Sequence, residues 1–118
     1  MFCKLNSYSI NGIEAIPIEV EIDINDGLPG FDIVGLPDSS VKEARERVKS
    51  AIKNSGFKFP VRRITINLAP ADIKKEGSLY DLPIALGILC CAGELPLELL
   101  RQTLFIGELA LDGSLRSV

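Results

Sequence analysis

The sequence predicts an α+β fold, a sandwich in which a mostly antiparallel sheet carries two main helices on one face. Three observations carry this. Apolar and polar residues alternate over several short runs, the period of a strand with one wet face. Two other runs switch to helical spacing, and each stops at a glycine. The order of elements is three strands, a helix, a strand, a helix and a closing hairpin, which segregates the helices to one side. The 118 residues fit a single domain spanning 1–118. A chain of this size buries about two thirds of its unfolded surface, enough for a core without disulfides or metal.

Ser7 to Ile10 reads as the end of a first strand, with Asn11-Gly12 as a hairpin turn. Ile16, Ile18, Val20, Ile22 and Ile24 then fall on alternate positions, with Glu19, Glu21 and Asp23 between them. That pattern makes Ile13 to Ile24 a half-buried antiparallel strand. Pro17 lacks an N–H and belongs near the start of a strand or at an edge. Asn25-Asp26-Gly27 turns the chain, and Phe31, Ile33 and Leu36 supply the inward face of a third strand.

The first helix follows. Ser40 and Glu43 have capping-box spacing, and Asp38 is the rival cap. Val41, Ala44, Val48, Ala51 and Ile52 form its apolar stripe, and Gly56 stops it after Ser55. Pro60 ends a loop. Ile64, Ile66 and Leu68 alternate with Thr65 and Asn67 as a further strand, and Asp72 to Ser78 is a polar loop. The second helix starts near Asp81, whose carboxylate can accept from first-turn N–H groups; Pro83 suits the same turn. Ile84 to Cys91 is apolar almost all round, so this helix is the more buried, and Gly93 ends it. Pro96 opens a short helix within Leu95 to Arg101. Leu104 to Leu109 reads as a strand that turns at Asp112-Gly113 into Leu115 to Val118. A sequence halting straight after such a turn reads as a piece of a longer polypeptide.

Composition excludes several classes. Histidine is absent, which removes the commonest general base, the usual triads and most zinc sites. Cys3, Cys90 and Cys91 are odd in number and two are adjacent, so buried reduced thiols are expected rather than a disulfide framework. No apolar run reaches the ~18 residues of a membrane span. The N-terminus lacks the pattern of a secretory signal. A cytoplasmic protein with no membrane partner is the expectation. The net charge of −3 is segregated. From Lys42 to Arg63 the basic residues are Lys42, Arg45, Arg47, Lys49, Lys53, Lys58, Arg62 and Arg63, and the only acids are Glu43 and Glu46. Such a segment can face phosphate or an acidic partner.

Three long blocks, GLPGFDIVGLPDSSVKEARERV, RRITINLAPADIKKEGSLYDLPIALGIL and GELALDGSLR, cover most of the chain. Together they resemble the N-terminal domain of the magnesium-chelatase-like AAA+ ATPases, the bacterial competence protein ComM (YifB) family. The resemblance implies a ribosomal protein S5 domain 2-like fold, shared with the Lon protease proteolytic domain. It also implies a longer protein in which an AAA+ module, with ATP and Mg, follows this domain. A hexameric ring acting in DNA uptake, recombination and branch migration is the implied assembly. This domain would then be a non-catalytic accessory that contacts its own AAA+ module, neighbouring subunits and, as a further candidate, DNA.

A Walker A loop needs G-x-x-x-x-G-K-S/T, and no glycine in this chain precedes a lysine. No cofactor or metal ligand set is therefore expected here. A Ser/Lys peptidase of the Lon type is the alternative function. By the resemblance, the helix Leu82 to Leu86 places Asp81 where the nucleophile would stand, and the lysine would lie beyond Val118. Ser78 is the remaining hydroxyl candidate, while Lys74 and Lys75 are expected to be solvated in their loop. Asp81 is read as a helix cap, and no catalytic residue is assigned. For contact with DNA or a partner the candidates are Lys42, Arg45, Lys49, Arg62 and Arg63. No aromatic residue interleaves with these cations in sequence, so a stacking platform is missing and a solvated or subunit-facing surface is the first expectation.

Overall fold

Alternating patterns assemble a sheet of four strands in the order β1-β2-β4-β3, with β1 at Phe2–Asn11, β2 at Glu14–Asn25, β3 at Gly30–Val34 and β4 at Arg63–Ala69. The computed structural model describes residues 1–11, 13–75 and 77–117, the side chains of Asn11 and Leu99 excepted. Gly12 of the expected hairpin turn, Glu76 of the polar loop and Val118 of the closing strand lie outside the described residues.

β1 and β2 form an antiparallel hairpin from the Phe2–Asp23 pair to the Asn11–Glu14 pair. β4 lies antiparallel to β2 between the Glu19–Ala69 and Asn25–Arg63 pairs. β3 runs parallel to β4, with Gly30 beside Arg63 and Val34 beside Asn67. The sheet is thus mostly antiparallel with one parallel step. Residue alternation does not encode strand direction, so that step was not visible in it. The helix between β3 and β4 supplies the crossover that parallel neighbours require. Pro17 faces Tyr8 of β1 and precedes Glu19, where β4 begins to pair. β2 has only one neighbour there, so the missing N–H is tolerated.

Helices α1 (Asp38–Asn54), α2 (Asp81–Cys91) and α3 (Leu97–Leu100) follow, with a 3-10 turn at Gly77–Tyr80. α1 packs on β3 and α2, and α2 packs on β1 and β2. Leu5, Val20, Ile22, Ile66, Val48 and Ile88 form the fully buried centre. Glu19, Glu21, Asp32, Thr65 and Asn67 line the opposite, open face of the sheet. A methyl group at Gly87 would overlap Ile22 Cγ1 and Cδ1, so this glycine lets α2 lie close against β2.

The helix stops match expectation, and α2 starts at Asp81 as expected, but the expected side-chain caps do not form. At Gly56 (φ 91°), the Gly56 N–H donates to Lys53 O at 3.1 Å and the Phe57 N–H to Ile52 O at 3.2 Å. That is a Schellman pair. Gly93 and Glu94 repeat it on Cys90 O and Leu89 O. Neither Ser40 nor Asp38 caps α1: the cap position is Pro37 and no side chain bonds there. Ser40 is instead pressed against Gly77, where an added Cβ would stand 2.6 Å from Ser40 Cβ.

The expected strand from Leu104 to Leu109 forms only isolated bridges, Asn6 with Leu104 and Leu109 with Leu115. Its backbone groups are used elsewhere. The Ser7 hydroxyl donates to Phe105 O at 2.6 Å, the Gly107 N–H donates to Leu79 O at 2.7 Å, and Gly107 O accepts from Leu82 N–H at 3.1 Å. The turn after it is present, closed by the Gly113 N–H on Ala110 O at 3.0 Å. Cys3, Cys90 and Cys91 are free and buried, as composition indicated. Among the described residues no helix is long and apolar enough to cross a membrane.

Candidate functional site

Asp81 opens α2 and is completely buried, but it is not a cap, because α2 has no side-chain cap hydrogen bond. The physical reason lies in the adjoining segment around Gly107. Gly107 O already takes the Leu82 N–H, and Pro83 has none to offer. The carboxylate turns inward instead. Arg47 Nε donates to Asp81 Oδ2 at 2.6 Å and Arg47 Nη2 to Oδ1 at 3.2 Å. The Leu109 N–H adds a third bond to Oδ2 at 3.1 Å. Burial pushes the Asp81 carboxyl above its ordinary value, and the Arg47 and Leu109 donors pull it partly back. Asp81 in turn pushes Arg47 upward. Glu43, four residues before Arg47, lies at 3.9 Å and is the weaker partner. Sequence reasoning missed the Arg47–Asp81 pair because its members are 34 residues apart.

Lys75 also departs from expectation. It is 2% exposed rather than solvated. Its Nζ donates to Pro70 O at 2.6 Å and to Ile73 O at 2.8 Å. Removal from water pushes its amine below the ordinary lysine range. Ser78 sits in the 3-10 turn, and among the described residues its hydroxyl is not a partner of the Lys75 amine. A cleft of about 660 Å³ is lined by Ser9, Ile10, Asp72, Ile73, Lys74 and Tyr80 among others, and neither Ser78 nor Asp81 lines it. Among the described residues no group of three or more carboxylates or thiols is placed to hold a metal ion.

The five basic candidates fall in two places. Lys42, Arg45 and Lys49 lie on α1; Lys42 and Lys49 are exposed. Arg45 Nη1 donates to Phe31 O at 3.1 Å, on the edge strand β3. Arg62 pairs with Asp26 at 2.8 Å. Arg63 pairs with Asp32 and crosses Gly30 on the open face of the sheet, away from α1. The structure also brings aromatic rings to the helix. Phe31 and Phe59 meet at 5.4 Å between centroids, tilted by 42°, and Lys49 Nζ stands 5.7 Å from the Phe59 centroid. The expected absence of aromatic neighbours is therefore corrected: Phe57 and Phe59 flank Lys58 in the sequence, and β3 adds Phe31.

The model of one family, subunit ChlI of Mg-chelatase, matches residues 20–118. The chain belongs to that family. Within this Mg-chelatase-like family, it is 55% identical over 107 residues to the uncharacterized protein YifB of Salmonella typhimurium, covering 91% of this chain and 21% of that protein. The competence protein ComM of Haemophilus influenzae is 51% identical over the same length, again 91% and 21%. An uncharacterized protein of Mycobacterium tuberculosis is 43% identical over 112 residues, covering 95% and 22%. The chain thus spans about a fifth of the length of the curated relatives it matches. The family resemblance carried by the three sequence blocks is borne out.

Proposed function

We propose that this domain is a non-catalytic accessory module of a longer Mg-chelatase-like ATPase that processes DNA, placing DNA or a partner and contributing to ring assembly. ATP and Mg would be used by a downstream module, and neighbouring subunits of a cytoplasmic hexamer would be its other contacts. The observation that carries the reading is Asp81. The position that would hold a nucleophile has a buried carboxylate locked on Arg47 and the Leu109 N–H. Completely buried and held by three donors, this carboxylate is not presented to a substrate, and the Lys75 amine is engaged by two carbonyls. One relative bears the name competence protein ComM, and the DNA role is the expectation drawn from the resemblance to that family.

The test compares the longer protein with and without residues 1–118. Retained ATP hydrolysis with reduced DNA strand processing is expected. Unchanged strand processing counts against the accessory role. A fluorophosphonate probe should leave the protein unlabelled. Covalent labelling of Ser78 would favour a peptidase of the Lon type.

A further inference from the structure

We propose that the edge formed by α1, β3 and the loop after α1 is a contact site for single-stranded nucleic acid, with bases against Phe59 and Phe31 and phosphates along Lys49, Lys53 and Lys58. The proposal deepens the DNA-positioning reading above and rests on it for its biological role. Lys42, Arg45, Lys49 and Lys53 recur at i, i+3, i+7 and i+11 along α1, one stripe about 16 Å long at 1.5 Å per residue. Lys42, Lys53 and Lys58 are exposed and, among the described residues, are in no ion pair. Glu46 is the one acid within the stripe. The two rings lie beside its middle, because Lys49 touches Phe59 and Arg45 holds the Phe31 carbonyl. Both rings pack partly against the core and the Lys49 amine covers the remaining face of Phe59, so a base that reaches this ring displaces the amine toward its own phosphate.

Chemistry selects the ligand. Cations that track a backbone, combined with aromatic faces that accept any base, make a sequence-tolerant single-strand site. Bases in a duplex are already stacked and cannot use the rings. A stable protein interface needs about 800 Å² per partner with an apolar centre, which two half-buried rings do not supply.

The experiment is fluorescence anisotropy of a labelled oligothymidylate of about 20 nucleotides with the 118-residue chain across a salt series. Each phosphate contact contributes about 0.7 to the salt slope, so Lys49→Gln with Lys53→Gln should flatten it by about 1.4. Phe59→Leu keeps apolar packing but removes the π face, and it should weaken binding about tenfold while the chain still unfolds in one cooperative thermal transition. Three outcomes overturn the proposal. One is an absence of oligonucleotide binding. Another is equal binding of a duplex that ignores Phe59→Leu, which marks a bare electrostatic surface. The last is Phe59→Leu disrupting only association with the rest of a longer protein, which marks a protein interface. Binding by this chain is read independently of strand processing by the longer protein, so the two readings can fail separately.

Discussion

At the scale of single residues, the Arg47–Asp81 pair illustrates how a buried ion pair can be costly to break and yet unnecessary. Arg47→Ala would strand a fully buried carboxylate and should lower stability by about 3 kcal/mol, read from urea denaturation. The double change Arg47→Met with Asp81→Leu should recover most of that loss, because desolvation of such a pair rivals its attraction. Lys75 gives a pH signature. Its amine is held below the ordinary 10.5 by burial, so the unfolded chain binds the proton more tightly. Its contribution is complete above 10.5 and is lost as pH falls through the lowered folded value. Lys75→Met removes this dependence. The stability of the wild type relative to the variant should therefore grow as pH is raised toward 10.5; a constant difference in urea midpoints contradicts it. Neither residue's role was legible locally. Lys75 stands among polar neighbours, and nothing in the loop sequence shows that two carbonyls fold back onto its amine.

Elements were legible to the extent that their determinants are local. The Gly56 and Gly93 stops were, since each needs a left-handed residue at a fixed place after the last turn. An alanine at Gly56 meets nothing within 4 Å, so its cost is conformational alone, about 1 kcal/mol. Gly87→Ala must instead push Ile22 aside and should cost about 1–3 kcal/mol through overpacking. Thermal melts of the two variants separate these mechanisms. The start of α2 at Asp81 was legible, but its cap was not, because the partner is remote: Gly107 O serves the Leu82 N–H at the head of α2. Burial of α2 was clear from its all-round apolar surface. It also shelters Cys90 and Cys91, whose thiols burial pushes up. A disulfide reagent should find little reactive thiol in the native chain and all three cysteines after denaturation; rapid native labelling would contradict the packing.

For the whole molecule, charge and fold are largely separable. Lys42→Gln with Lys53→Gln should change stability by no more than about 0.5 kcal/mol, checked by thermal denaturation, since neither lysine makes an ion pair among the described residues. Charge segregation along the chain was plain in the sequence, as was the α+β class. Phe57 and Phe59 already flank Lys58 in the sequence; what the sequence did not show is that Phe59 meets Phe31, 28 positions away. Asp81 adds a mechanical property. One carboxyl group joins the middle of α1, the foot of α2 and the backbone of the turn region at Leu109. Twisting that turn without also tugging the cationic helix would require unfastening a three-way rivet inside the core. A torque applied at the Leu109 turn therefore reaches α1 through a short, stiff lever.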